Sequence, residues 1–267
     1  MTGSGRYISV NKEYGVFVGR GEGIRRLKAE GGSYLGFGKL FNLALSPDGN
    51  ILLTAGFGSP YDAEWDFIEE QREVGYKDLV AVTLWDLERL RPLAKLPGNI
   101  AKTHATFSPD GKYVVSGSEN AVVIVWDAKN KKERFRLASL AHGVIVNPNE
   151  PWQKWKYDKT GLIEKPKDHT GSSVLALKFI DTANHYLRFN NLQHYAILYS
   201  IDSPLPLKYL DLGTKPFPAT RDYSRNTAID TAPAAGILVT GQAAGPGINV
   251  YKYDKATQTL KRIWVAR

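Results

Sequence analysis

Short runs of apolar and β-branched residues alternate with polar turns along most of this chain. The clearest example is FSPDGKYVVSGSENAVVIVWD, from Phe107 to Asp127. Ser-Pro-Asp-Gly favours a tight turn, because proline fixes φ, aspartate caps the backbone and glycine accepts positive φ. The runs KYVVSGS and AVVIVWD predict two short strands, and KERFRLASL alternates charged and apolar residues as a half-exposed strand does. With KTHATF before the turn, the pattern predicts a unit of four antiparallel strands.

The same order of elements recurs along the chain. FNLALSPDGN leads into ILLTAG, VAVTLWDLERL and RPLAKLPG, and weaker copies occur near both ends. The spacings between equivalent turns are 35, 62, 39, 33 and 52 residues, and the largest contains an insertion at 58–78. A period near 40 residues with four short strands is typical of β-propeller blades. The turn equivalents are Asn11, Ser46, Ser108, Asn147, Ile180 and Ala232.

The pattern predicts the type of unit more directly than the number of units. The copy that starts at HGVIVNPNEP is degenerate, and the segment from about 150 to 171 is too polar for three good strands. We therefore predict an all-β fold: one β-propeller domain over 1–267, made of four-stranded antiparallel blades. Six blades fit the turn count best, five would make the degenerate copy an insertion, and seven would need more chain.

The residues LSPDG…VTLWDLE and FSPDGKYVVSGSENAVVIVWDAKNKK resemble the WD40 repeat β-propeller family. In that family a tryptophan of the third strand joins a serine or threonine of the second strand, with an aspartate and a histidine, in a structural hydrogen-bond network. The resemblance implies a blade brace and no catalytic role for these residues. The histidine expected about eight residues before the turn is absent, so we expect an incomplete network. The brace residues are Thr54, Trp85, Asp86, Ser116, Trp126 and Asp127.

Candidate catalytic and metal motifs are weak. The chain has no cysteine, which excludes thiolate ligands and a cysteine nucleophile. The run GRGEGI is better explained by turn glycines than by a phosphate loop, which has to open a helix. We predict no catalytic residues, no cofactor and no metal site. The histidines, none of which has the spacing of a ligand pair, are His104, His142, His169, His185 and His194.

Charge and aromatic residues point to binding rather than chemistry. The net charge is +8, which favours anionic partners, but the charges are spread along the chain. The insertion at 58–78 has helical spacing in AEWDFIEEQREV and could dock a partner, and WQKWKYDK interleaves tryptophan with lysine. The proline-rich segment 203–226 predicts a long connecting loop. The partner-binding candidates are Trp65, Ile68, Glu69, Arg72, Trp152, Lys154, Trp155, Lys156, Arg221, Tyr223 and Arg225.

The resemblance implies a non-catalytic platform for protein–protein interactions, acting as a monomer or as a subunit of an assembly. Two alternatives stay open. One is a propeller-type enzyme with polar residues of the first strands gathered at the axis, at Asn42, Thr103, His142, Ser173 and Asn226. The other is nucleic-acid binding through the basic, aromatic insertion. The sequence contains no apolar stretch of transmembrane length, and it leaves the compartment open between the cytoplasm and a bacterial cell envelope.

Overall fold

The described part of the chain is built of β-strands, with one short 3₁₀ turn at Pro233–Ala235 and no α-helix. The computed structural model describes the backbone of residues 6–10, 16–20, 23–26, 40–56, 81–99, 102–118, 122–137, 140–141, 144–146, 154–156, 174–190, 195–212, 226–242 and 247–266. These strands form six antiparallel sheets, each with its strands in chain order, and four of the sheets have four strands. We number the sheets I to VI along the chain.

Sheets I and II cover the first part of the chain. Sheet I has three described strands, and sheet II has four. The bounds in sheet I are β1 Arg6–Val10, β2 Val16–Arg20 and β3 Gly23–Arg26. Those in sheet II are β4 Leu40–Leu45, β5 Ile51–Gly56, β6 Val82–Asp86 and β7 Arg91–Leu96.

Sheet III has four strands, and sheet IV has three short ones, whose backbone alone is described. The bounds in sheet III are β8 Thr103–Phe107, β9 Tyr113–Ser118, β10 Val123–Asp127 and β11 Lys132–Leu137. Those in sheet IV are β12 Leu140–Ala141, β13 Val144–Val146 and β14 Lys154–Lys156.

Sheets V and VI each have four strands. The bounds in sheet V are β15 Val174–Phe179, β16 His185–Asn190, β17 Tyr195–Ser200 and β18 Lys208–Asp211. Those in sheet VI are β19 Asn226–Ala232, β20 Ile237–Gln242, β21 Ile248–Asp254 and β22 Thr259–Val265.

The Ser-Pro-Asp-Gly turns form as the sequence predicts. In sheet III the Ser108 hydroxyl donates to Asp110 Oδ1 at 2.6 Å and accepts the Tyr113 N–H at 2.9 Å. Gly111 takes φ 72°, a conformation that glycine adopts without a steric penalty. The turn of sheet II repeats this geometry from Ser46 to Ile51. In sheet V, Asp181 caps the corresponding turn in place of the serine. Its carboxylate accepts the N–H of His185 at 3.1 Å and contacts the ring Nδ1 of His185 at 2.7 Å.

Neighbouring sheets pack face to face through separate apolar clusters. Sheet I packs on sheet II, sheet II on sheet III and sheet V on sheet VI. The first strands β4, β8, β15 and β19 also contact one another in that order. First strands that meet side by side while their sheets stack outward are what a propeller requires.

Sheet III packs directly on sheet V, so sheet IV does not stand between them. One cluster joins Val115, Val123 and Val125 of sheet III to Leu177 and Tyr199 of sheet V. Strand β15 contacts both β8 and β9. The degenerate copy that starts at residue 142 is therefore not a blade inserted between its sequence neighbours. The described row of packed sheets runs I, II, III, V and VI, and a count of six blades is not confirmed.

Candidate functional site

The tryptophan of the Trp-Asp pair in sheet III belongs to a buried hydrogen-bond network. Trp126 Nε1 donates to Ser116 Oγ at 3.0 Å, and Ser116 Oγ donates to Asn99 Oδ1 at 2.6 Å. The Asn99 amide nitrogen donates to the Val122 carbonyl at 3.2 Å. Ser116 and Asn99 are fully buried. Asn99 lies between sheets II and III, so the network ties the end of one sheet to the middle of the next.

Asn99 takes the place of the absent histidine, and no aspartate joins the described contacts of this network. It lies nine residues before Ser108, close to the position where the family resemblance places a histidine. An amide supplies both an acceptor and two donors, so it can replace an imidazole in this role. The sequence signal for this position was the pair Gly98-Asn99 before the strand. Gly98 takes a φ of 106°, a conformation that favours glycine, and this fixes the backbone beside Asn99.

The other sheets use the same position differently. In sheet II, Trp85 Nε1 donates to Thr54 Oγ1 at 3.0 Å, and Thr54 Oγ1 lies 3.5 Å from the Thr83 carbonyl. In sheet VI, tyrosine replaces tryptophan, and the Tyr251 hydroxyl donates to the Leu212 carbonyl of the preceding sheet at 2.8 Å. Burial raises the pKa of Tyr251, which keeps this hydroxyl protonated. These contacts hold the strands and neighbouring sheets together.

The aspartates of the two Trp-Asp pairs cap the turns that follow the third strands. Asp86 Oδ1 accepts the N–H groups of Glu88 and Arg89, each at 2.9 Å. Asp127 Oδ1 accepts the N–H of Asn130 at 2.7 Å. The Arg89 N–H holds the pKa of Asp86 below its usual value, and the Asn130 N–H does the same for Asp127. Both carboxylates are therefore ionised caps at neutral pH.

Polar residues of the first strands tie neighbouring sheets together. Asn42 Oδ1 of β4 accepts the Ala105 N–H of β8 at 2.9 Å, and Lys178 of β15 forms an ion pair of 2.9 Å with Asp230 of β19. His104 Nε2 is buried and makes no hydrogen bond within the described residues. Desolvation, with smaller contributions from Lys102 and Lys178, lowers the pKa of His104 to about 4. Its imidazole is neutral at physiological pH.

One face of sheet VI exposes apolar positions whose equivalents in sheets II, III and V are buried. Three positions of the second and third strands are at most 1% exposed in sheets II, III and V, where they pack on the following sheet. In sheet VI the same positions are only partly buried at Val239 and Val250, and Ile248 is 46% exposed. The nine buried equivalents are Leu53, Val82, Leu84, Val115, Val123, Val125, Leu187, Ala196 and Leu198.

An exposed tryptophan extends this face. Trp264 of β22 pairs directly with Val250, so the two side chains share one face of the sheet, and Trp264 is 53% exposed. The adjacent Ile263, at a register shift of the strand pair, is also 53% exposed. We call the surface formed by Val239, Ile248, Val250 and Trp264 the open face.

The partner-binding residues predicted from sequence fall mainly outside the described residues. Lys154, Trp155 and Lys156 form β14, which pairs with β13, so the KWK segment is a strand in sheet IV. The candidates outside the described residues are Trp65, Ile68, Glu69, Arg72, Trp152, Arg221, Tyr223 and Arg225. The insertion containing Trp65 begins at a closed hairpin, because the Gly56 N–H donates to the Ala81 carbonyl at 2.9 Å.

Within the described ranges, no group of three histidine, aspartate or glutamate side chains is arranged to hold a metal ion. None of the helical turns in the same part of the chain is long and apolar enough to cross a membrane. Of the axial candidates, Asn42 and Thr103 are described, and Thr103 is fully buried. The side chains of His142, Ser173 and Asn226 lie outside the described residues.

Comparison with known proteins supports the fold. Residues 90–127 match the family described as WD domain, G-beta repeat. The match begins at the outer strand of sheet II and ends at Asp127 of sheet III, so one sequence repeat spans two sheets and includes Asn99. No curated protein matches the chain in sequence.

Many solved structures resemble the chain, and two of them show how far the similarity extends. Hydrazine synthase of Kuenenia stuttgartiensis matches 87% of this chain with 14% identity and a TM-score of 0.50. This chain spans about half, 52%, of that protein. The similarity to the structure of U3-55K covers 98% of this chain and 78% of the U3-55K chain, with 13% identity and a TM-score of 0.50. At such low identity these similarities concern the fold.

Together these findings define an all-β, propeller-type protein. The chain carries a WD40 repeat, and the predicted resemblance to the WD40 repeat family is confirmed. The prediction of four-stranded antiparallel sheets in a propeller is also confirmed. Such domains are typically interaction scaffolds.

Proposed function

We propose that this protein is a non-catalytic platform for protein–protein interactions. The observation that supports this most directly is the apolar surface of sheet VI, where Ile248, Ile263 and Trp264 are about half exposed. Exposed clusters of large apolar side chains mark interaction sites more often than isolated ones do. Tryptophan in particular is enriched among the residues that dominate binding energy.

The insertion between β5 and β6 is a second candidate binding element. Its base is closed by the hydrogen bond between Gly56 and Ala81, so sheet II keeps its pairing on either side of it. Deleting residues 64–75 should therefore leave the thermal midpoint nearly unchanged. If Trp65, Ile68, Glu69 and Arg72 contact a partner, the same deletion removes that interaction.

Quantitative affinity capture tests the proposal with three proteins. These are the wild type, the deletion of residues 64–75, and the double variant Ile263→Thr with Trp264→Ser. We expect specific proteins, identified by mass spectrometry, to bind the wild type and to be lost from at least one variant. A matched variant at the exposed Lys129 should retain them. Identical capture by all four folded proteins, at the level of bare resin, would contradict the platform function.

A further inference from the structure

The open face of sheet VI has the chemistry of a blade-packing surface, but in the described part of the chain no following sheet packs on it. At each of its three repeat positions, the equivalent residue in sheets II, III and V is buried by the next sheet in the row. Glycine contacts agree with this. A Cβ on Gly117 of sheet III would lie 3.0 Å from Leu177 and Val174 of sheet V. Among the described residues, a Cβ on the equivalent Gly241 would meet only Ala228 of its own sheet.

Two lysines stand at one end of the open face. Lys252 and Lys261 are directly opposite each other on β21 and β22, and both are exposed. Like charges in this arrangement destabilise a sheet unless an anion lies between them. The Lys252 ammonium group also contacts the Ala235 carbonyl. The acidic residue on the same side, Asp254, accepts the N–H groups of Ala256 and Thr257 and is engaged as a turn cap.

Charge argues against the first sheet of this chain, or of a second copy, as the occupant. The strands of sheet I contain Arg6, Arg20, Arg25 and Arg26 and no acidic residue. Placing that sheet against Lys252 and Lys261 would bring cations of both sheets together. The valine and isoleucine side chains of the open face favour a protein as the binding partner. A single-stranded nucleic acid binds mainly through phosphate contacts and base stacking, which aliphatic side chains do not provide.

We infer that the open face binds an extended, acidic segment of a partner protein, with apolar side chains on Ile248, Val250 and Trp264 and carboxylates on Lys252 and Lys261. This inference rests on the proposed platform function and names the class of partner. Successive residues of a strand point to opposite sides, so only every second residue of the segment faces the sheet. Apolar residues at such alternate positions pack on Ile248, Val250 and Trp264, and an acidic residue further along the same side of the segment lies over the two lysines.

Fluorescence anisotropy with three labelled peptides tests the inference. Each probe has valine at alternate positions separated by threonine, and the last residue on the valine side is glutamate, lysine or threonine. A thymidine oligonucleotide of the same length is a fourth probe. We expect the glutamate peptide to bind best and to weaken as salt is added. Lys261→Glu should weaken it about tenfold, and the double reversal of Lys252 and Lys261 to glutamate should transfer the preference to the lysine peptide. Lys129→Glu, an equal charge change in the β10–β11 turn, should leave binding unchanged.

Four results would overturn the inference. One is equal binding of all peptides, and another is an equal effect of Lys261→Glu and Lys129→Glu. The third is binding of the oligonucleotide alone, abolished by Lys261→Glu, which would assign the face to nucleic acid. If no peptide binds while the wild type still captures partners through the 64–75 segment, the inference fails and the platform function stands.

Discussion

Removing the Ser116 hydroxyl should destabilise the protein, because it leaves two buried groups without a hydrogen-bond partner. The hydroxyl accepts from Trp126 Nε1 at 3.0 Å and donates to Asn99 Oδ1 at 2.6 Å. In Ser116→Ala both partners stay buried and lose a hydrogen bond. Each unsatisfied buried group costs about 1–3 kcal/mol, so the free energy of unfolding should fall by about 3 kcal/mol. For a domain of this size, this corresponds to a Tm lower by about 6–12 °C.

The matched change in sheet II separates the network from the tryptophan contact. Thr54→Val also removes the acceptor of an indole N–H, but the second contact of Thr54, to the Thr83 carbonyl, is long at 3.5 Å. We expect a loss of about 1–2 kcal/mol there. Urea denaturation followed by circular dichroism measures both, and the double variant of Ser116 and Asn99 to alanine should show a coupling of about 1 kcal/mol. A loss below about 0.5 kcal/mol for Ser116→Ala, or strictly additive effects, would refute the reasoning.

Two further predictions concern packing and pH. Gly117→Ala should lower the free energy of unfolding by about 1–3 kcal/mol, because its Cβ would crowd Leu177 across the interface of sheets III and V. The matched change Gly241→Ala should be neutral or stabilising. Equal effects of the two changes in urea denaturation would contradict the order of sheets. The pKa of His104 falls from 6.5 in the unfolded chain to about 4 in the folded protein. As the pH is lowered, the unfolded chain therefore binds this proton before the folded protein does. The free energy of unfolding should decrease between about pH 6.5 and about pH 4, by at most about 3 kcal/mol. His104→Gln should remove that part of the slope, and an unchanged pH profile of the denaturation midpoint would exclude the buried neutral imidazole.

The strands and turns of the repeat were predictable because their signals are local. Ser46, Ser108, Ile180 and Ala232 each follow or end a first strand, as the turn spacing predicts. Even where the serine is lost, at Ile180, the adjacent Asp181 supplies the cap. Turn chemistry and β-branched runs are set by a few neighbouring residues, so one sequence contains them.

The packing order of the sheets could not be predicted in the same way. Sheet III meets sheet V across a segment of more than thirty residues, 138–173, and local pattern does not say whether an intervening copy joins the row. Asn99 was missed because the resemblance directed attention to a histidine. The open face was missed because exposure depends on whether a following sheet is present, and Ile248 has the same kind of sequence neighbourhood as the buried Val123.

The most direct test of this account is thiol reactivity at one repeat position. The natural chain has no cysteine, so Val123→Cys, Ala196→Cys and Ile248→Cys each create a single thiol at equivalent places on three sheets. With Ellman's reagent in native buffer, Ile248→Cys should react nearly as fast as Lys129→Cys, at an exposed turn. Val123→Cys and Ala196→Cys should react only after urea is added. Protection of Ile248→Cys equal to that of Val123→Cys, at low and high protein concentration alike, would show that the chain already covers this face and would contradict the account.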